Sequence, residues 1–125
     1  MTQERGPKEL VGKPEWAVFP FNEAQEVVRV FEYGAKKYGK PFTYRAGIPI
    51  SELLSALIRH VVHIQNGAAI DVESGCHHAA HVAANALMML SQNCEPSTLT
   101  PIEMDVFCRI KEKVEAGVDL GRCLV

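Results

Sequence analysis

Residues 51–92, SELLSALIRHVVHIQNGAAIDVESGCHHAAHVAANALMMLSQ, predict two helices joined by a turn. Ser51 is suited to begin the first helix and Gly67 to end it. Its apolar residues recur at helical spacing, and those expected to face inward are Leu53, Leu54, Leu57, Ile58, Val61 and Ile64. Residues 66–75 are expected to form the turn, and the second helix is expected to run from about residue 76 to residue 92. Its expected inward residues are Ala79, Val82, Ala83, Ala86, Leu87 and Leu90. The stretch therefore predicts an antiparallel helical hairpin.

Histidines are concentrated on this hairpin. All five in the chain lie there, and four of them, two from each arm, have helical spacing: His60, His63, His78 and His81. Residues that face each other in an antiparallel hairpin have numbers with a constant sum, so His60 is expected opposite His81, and His63 opposite His78. The two histidines of each arm are three residues apart and share one helix face. The hairpin therefore predicts one compact cluster of imidazoles.

Polar residues near the cluster extend it. Asn85 follows His81 by one helical turn, and Asp71 and Glu73 lie in the turn of the hairpin. Imidazole binds Zn, Mn, Co or Fe, and carboxylates from the turn are suitable additional ligands. A metal or phosphate site is the first interpretation. The alternative is a set of buried histidines that hydrogen-bond to the backbone and to each other.

Two further helices are expected. The first begins with Asn22 as its N-cap and ends at Gly39, and the last has Thr100 as N-cap, with Glu103 in a capping box, and ends at about residue 117. No alternating pattern predicts a strand. The fold class is therefore all-α, a small four-helix bundle with an irregular N-terminal arm at 1–20, one helical domain at 21–117 and a tail at 118–125. Because a small bundle buries a polar seam better between subunits, a homo-oligomer is expected.

Charged residues elsewhere in the chain are weaker candidates. Carboxylates with ExxE spacing occur on the first predicted helix, which carries Glu23, Glu26 and Glu32. Such spacing is common on solvated helix faces, and that interpretation is favoured. The basic residues best placed to meet a polyphosphate are Lys36, Lys37 and Arg59.

Composition excludes several classes of protein. The net charge is −2, which gives no overall attraction to nucleic acid or to an anionic membrane. The chain has no apolar run long enough to span a bilayer and no hydrophobic signal segment, so a soluble, cytoplasmic protein is expected, without nucleic-acid or membrane partners. The four cysteines have no CxxC spacing and are expected to be reduced thiols: Cys76, Cys94, Cys108 and Cys123.

Three stretches carry a resemblance to a known family: VFEYGAKKYG at 30–39, LLSALIRHVVH at 53–63 and DVESGCHHAAHVAANALMML at 71–90. Together they resemble the small phage-encoded domain of dATP/dGTP diphosphohydrolases, a family related to the all-α, MazG-like nucleotide pyrophosphohydrolases. The resemblance implies hydrolysis of a purine deoxynucleoside triphosphate to the monophosphate and pyrophosphate. It also implies a divalent metal, which would be Mg, Mn, Co or Zn, and a protein that acts in the cytoplasm of a phage host.

The residues and the resemblance together give a set of predicted roles. The predicted catalytic residues are His60, Asp71 and Glu73. The predicted metal ligands are His60, Asp71, His78 and His81. The predicted nucleotide-binding residues are Lys36, Lys37, Tyr38, Arg59 and Asn85. Ser74 also matches the family pattern, without an assigned role.

Departures from the family pattern leave a second function open. Residues 42–44 are Phe-Thr-Tyr where relatives tend to have Asn-Trp, and His63 replaces a bulky aromatic. The EExxE and ExxD arrangement of typical MazG-like enzymes is absent. The alternative is a non-catalytic protein that sequesters a nucleotide or a cyclic-nucleotide signal. A third hypothesis is a structural or regulatory module in which the histidines only specify packing.

Overall fold

The computed structural model of the chain describes residues 6–7, 11–92 and 99–118. Its four α-helices are α1 (Phe21–Tyr38), α2 (Ile50–Gln65), α3 (His78–Gln92) and α4 (Pro101–Glu115), and short 3-10 turns lie at Trp16–Val18 and Thr43–Ala46. The described residues form no strand beyond an isolated bridge between Ile70 and His77. The prediction of a small all-α bundle is confirmed. None of the described helices is long and apolar enough to span a bilayer.

The hairpin of α2 and α3 is the largest packing unit of the fold. The turn between these helices is fixed by backbone hydrogen bonds from Asp71 N to Cys76 O at 2.8 Å and from His78 N to Ala69 O at 2.9 Å. Gly75 has a φ of +75°, a conformation that favours glycine. Helix α1 packs on α3, and the buried cluster between them contains Val30, Cys76, Ala80 and Ala84. The rigid turn and the small residues of α3 hold the three helices close together.

Two predicted N-caps are wrong by two residues. Asn22 and Ser51 are not N-caps, because α1 and α2 begin after Pro20 and Pro49 and neither has a side-chain cap hydrogen bond. The carbonyl of each proline accepts the first helical hydrogen bond instead. The third helix begins at residue 78 and not at residue 76, because the bridge between residues 70 and 77 holds the chain in the turn. The predicted capping box of Thr100 and Glu103 on α4 is confirmed.

Several residues predicted to face inward are exposed. On α3 these are Ala79, Ala86, Leu87 and Leu90, and on α2 they are Leu54, Ile58, Val61 and Ile64. The buried face of α3 carries His78, Ala80, His81, Ala84 and Asn85. This face is buried because its alanines permit close helix packing, while its polar side chains are paired with each other and with the turn. Leu53 is the one buried residue of α2.

Other sequence predictions fall partly outside the described residues. Cys76 and Cys108 are free thiols, as expected, and Cys94 and Cys123 lie outside the described part of the chain. The arm at 1–20 and the tail at 118–125 are described only in part, so the domain boundaries stay predictions.

Replacing the capping threonine of α4 tests the local origin of this helix. In the Thr100→Ala variant, the backbone N–H of Glu103 loses its acceptor, and we expect the free energy of unfolding to fall by about 1 kcal/mol. Ser51→Ala is the matched control, because Ser51 makes no cap hydrogen bond. Urea unfolding followed by circular dichroism measures both. Equal stability of the two variants would contradict the role of the cap.

Candidate functional site

Four of the hairpin histidines form one cluster at the contact of α2 and α3: His60, His63, His78 and His81. The rings of His60 and His81 stack at 4.3 Å between centroids, and those of His63 and His78 stack at 4.6 Å. His60 Nδ1 lies 2.8 Å from His78 Nδ1, so one ring donates a hydrogen bond and the other accepts it. His78 and His81 are buried, and His60 is half-buried. The predicted opposition of His60 to His81 and of His63 to His78 is confirmed.

Asp71 brings a carboxylate from the turn to this cluster. Single ligand atoms of His60, Asp71 and His78 all lie within 4.8 Å of one another. Ligand atoms bound at about 2.1 Å to one ion are separated by at most about 4.2 Å, so this group is close in size to the set of ligands around one ion. Two imidazole nitrogens and one carboxylate oxygen form a donor set that suits Zn, Mn or Co. The three residues fit a divalent metal.

His81 has a different position from the other predicted metal ligands. Its Nε2 lies 2.7 Å from Ser74 Oγ and 3.4 Å from Asp71 Oδ2, and it is not part of the group of three. His81 therefore lies beside the carboxylate ligand and contacts it through Ser74.

Ser74 fixes the geometry of this part of the site. Its backbone N–H and its hydroxyl both lie within hydrogen-bond distance of Asp71 Oδ2, at 2.9 and 2.7 Å, and Cys76 N donates to the hydroxyl at 3.1 Å. A serine hydroxyl has one proton, and an ionised carboxylate can only accept. The Ser74 proton therefore goes to Asp71, and His81 must donate from Nε2 to Ser74. Ser74 sets both the carboxylate orientation and the His81 tautomer.

Burial and hydrogen bonding favour the protonation states that metal binding requires. Burial lowers the pKa of His60 below 6.5, and the neighbouring His81 and His78 lower it further against the opposing charge of Asp71. Burial also lowers the pKa of His81. Burial alone would raise the pKa of Asp71, but hydrogen bonds from Ser74 and the charges of His81 and His60 hold it below its ordinary value. Neutral imidazole and ionised carboxylate are the ligand forms that bind metal ions.

Glu73 connects the turn to α1. Its carboxylate accepts hydrogen bonds from the Tyr33 hydroxyl at 2.7 Å and from Lys37 Nζ at 3.0 Å. The hydrogen bond from Tyr33, followed by that from Lys37, lowers the pKa of Glu73. Glu73 is not one of the three grouped ligands. Its negative charge raises the pKa of His81, against the larger lowering effect of burial. Sequence reasoning missed Tyr33; its spacing of four residues from Lys37 is the signal that places both on one face of α1.

The other predicted site residues lie at the edges of the cluster or away from it. Lys36 and Tyr38 are exposed near the end of α1, where Lys37 Nζ lies 5.6 Å from the centroid of the Tyr38 ring. Arg59 is exposed on α2 and donates to Ser55 Oγ at 3.1 Å. Asn85 is buried, and its side-chain amide donates to the His81 carbonyl at 2.8 Å, so it stabilises the α3 backbone at His81.

The ExxE residues of α1 lie outside the metal group. Glu23 is exposed, as the solvated-face interpretation expects, but Glu26 is half-buried and pairs with Arg29 at 2.7 Å. Burial raises the pKa of Glu32.

Comparison with known proteins gives a specific match. The family described as "dATP/dGTP diphosphohydrolase, N-terminal" matches residues 3–101. A dATP/dGTP diphosphohydrolase of Salmonella phage PMBT28 is 42% identical over 66 residues, which are 53% of this chain and 22% of the relative. The match thus spans about a fifth of the length of that relative. No solved structure gives a significant match.

Removing the Ser74 hydroxyl tests its role in positioning. In Ser74→Ala, Asp71 and His81 each lose a hydrogen-bond partner, and we expect the free energy of unfolding to fall by about 1–3 kcal/mol. We also expect the fraction of the Nε2-protonated tautomer of His81 to fall, measured by ¹⁵N NMR of the metal-free protein.

Ser91→Ala is the control, because the Ser91 hydroxyl donates to the Met88 carbonyl within α3. It should leave the tautomer of His81 unchanged. If Ser74→Ala also left this tautomer unchanged, the assignment of the Ser74 proton would be wrong.

Proposed function

This chain belongs to the dATP/dGTP diphosphohydrolase N-terminal family, and on that basis we propose that it is a metal-dependent nucleotide pyrophosphohydrolase. The proposed substrates are purine deoxynucleoside triphosphates, and the products are the deoxynucleoside monophosphate and pyrophosphate. The observation that supports the chemistry is the grouping of His60, His78 and Asp71 at the turn end of the hairpin. The proposed place of action is the cytoplasm of a phage host, where these nucleotides are dissolved.

The proposed metal ligands are His60, His78 and Asp71, with His81 adjacent through Ser74. Two nitrogen donors favour Mn, Co or Zn over Mg, which prefers oxygen ligands. A divalent metal bound here would polarise a phosphoryl oxygen and lower the pKa of a bound water. His81 holds the Asp71 carboxylate in place through Ser74 and stacks on His60, which limits the rotation of both ligands.

The proposed phosphate-binding residues lie on α1 beside the turn. Lys37 donates to Glu73, which lies two residues after Asp71, so this contact joins the lysine to the turn that carries one proposed metal ligand. Its ammonium group can neutralise phosphate charge, and Lys36 adds a second positive charge on the same helix end. In this proposal the Glu73 carboxylate positions Lys37. This role differs from the catalytic role that the sequence predicted for Glu73.

The proposed contacts to the rest of the nucleotide are less specific. Tyr38 is 62% exposed, which leaves a ring face free to stack on a base. Asn85 supports His81 from within α3. Arg59 donates a hydrogen bond to Ser55 and none to the cluster among the described residues, so its phosphate role stays a prediction.

A turnover assay with matched histidine variants tests the proposal. The full chain is incubated with dATP, dGTP, dCTP or dTTP and with Mg²⁺, Mn²⁺, Co²⁺ or Zn²⁺, and pyrophosphate and monophosphate are quantified by chromatography. We expect purine substrates to be consumed, with loss of activity in chelator. His78→Asn should lower the rate by at least about 100-fold, because loss of a residue that only supports a metal ligand already costs about 10–100-fold.

His77→Asn is the control, because the His77 side chain is exposed next to the buried His78. It should keep near wild-type activity. If the chain bound nucleotide tightly in chelator and showed no turnover with any metal, the proposed enzyme activity would be wrong. A protein that sequesters a nucleotide would then be favoured. Release of inorganic phosphate in place of pyrophosphate, or full activity of His78→Asn, would also contradict the proposal.

A further inference from the structure

Helix α2 is apolar on two opposite sides but has one extensive neighbour. It packs against α3, and no other described element contacts it to a comparable extent. Leu53 is buried, whereas Leu54 and Ile58 are 42% and 49% exposed. A helix that is apolar all round is usually buried on all sides. The apolar side of α2 that faces away from α3 is therefore not covered by any element in the part of the chain that the structure describes.

The uncovered side forms a shallow groove along the helix axis, which we call the α2 outer face. It is lined by Ser51, Leu54, Ser55, Ile58, Arg59, Val62 and His63. Spacings of three and four residues place these side chains on one stripe. The two serines leave space between the larger side chains, which allows a second helix to pack closely by ridges into grooves. The shape and spacing suit another helix as the occupant.

We propose that the α2 outer face binds the α2 outer face of a second copy of this chain, with the two helices antiparallel. Glu52 and Arg59 supply the argument for this occupant. They are seven residues apart, which is close to two helical turns, so they lie along the same edge of the outer face. Neither Glu52 nor Arg59 has an ion-pair partner among the described residues, and the Arg59 guanidinium donates a hydrogen bond to the Ser55 hydroxyl. Each helix thus carries an acidic and a basic group of matched spacing without an internal ionic partner.

The orientation follows from these charges. In a two-fold symmetric pair of antiparallel helices, an edge of one helix meets the same edge of the other, and every contact occurs twice. Glu52 of each chain then lies opposite Arg59 of the other. In a parallel pair, the charged edge would instead meet the edge that carries Leu54 and Val61. The antiparallel arrangement pairs both charges and covers the apolar centre of the outer face. The parallel arrangement covers the apolar centre but leaves the charges unpaired.

The proposed interface lies next to the histidine cluster. His63 lines the outer face and stacks on His78, so one side chain borders both the interface and the cluster. The pairing would therefore place the clusters of the two chains on either side of the paired α2 helices.

Charge reversal at the two edge residues tests the contact and its direction. The full chain is studied by sedimentation velocity over a range of concentrations, and we expect a dimer of twice the 13.8 kDa chain mass. Glu52→Arg and Arg59→Glu should each weaken the dimer about tenfold or more in Kd, because each places like charges opposite one another twice. The double variant restores the pairing with exchanged signs and should return to within about threefold of wild type.

Two further variants complete the experiment. Ile58→Asp places a charge in the centre of the outer face and should give a monomer with unchanged helix content by circular dichroism. Glu112→Arg changes an exposed charge on α4 and should leave the Kd unchanged. A monomer at all concentrations would overturn the proposal, as would a dimer that Ile58→Asp does not weaken. If the double variant did not recover the wild-type Kd, the antiparallel pairing would be wrong. A monomer whose α2 is protected from hydrogen exchange by another segment of its own chain would also overturn the pairing.

Discussion

The antiparallel packing of α2 on α3 is the interaction on which the rest of the structure depends. It is fixed by a turn that is closed by backbone hydrogen bonds and by the bridge between Ile70 and His77. This packing brings His60 Nδ1 to 2.8 Å from His78 Nδ1, and the same turn delivers Asp71 to them. A shift of one residue in either helix would separate the three potential ligands. Fold and site are therefore set by one register.

The polar side chains at this interface are buried, and they are stabilised there by their hydrogen bonds and ring contacts. Buried polar groups are costly when they lack partners. No buried side-chain nitrogen or oxygen among the described residues lacks a hydrogen bond. The histidines stack and hydrogen-bond with each other, Ser74 satisfies Asp71 and His81, and Asn85 donates to its own helix. Such a network can hold ligands in fixed positions before an ion binds, which reduces the cost of organising the site.

The sequence predicted the hairpin register because two histidine pairs at matched levels constrain it strongly, and it predicted the cap of α4 because Thr100, Pro101 and Glu103 act locally. It did not predict the inward face of α3. Apolar periodicity indicates which side of a helix is expected to be buried. It does not indicate that the opposite side of α3, which carries the paired histidines, is the buried one. The contact of Tyr33 with Glu73 joins residues 40 positions apart, and no local pattern shows it.

We propose that the register of α2 and α3 builds a metal site from His60, His78 and Asp71. Titration of the metal-free protein with Co²⁺, followed by the visible absorption of the bound ion, tests this site without relying on turnover. We expect one Co²⁺ per chain in the wild type and in His77→Asn, and loss of the absorption in His78→Asn and in Asp71→Asn. Equal binding by all four proteins, or no binding by any, would contradict it.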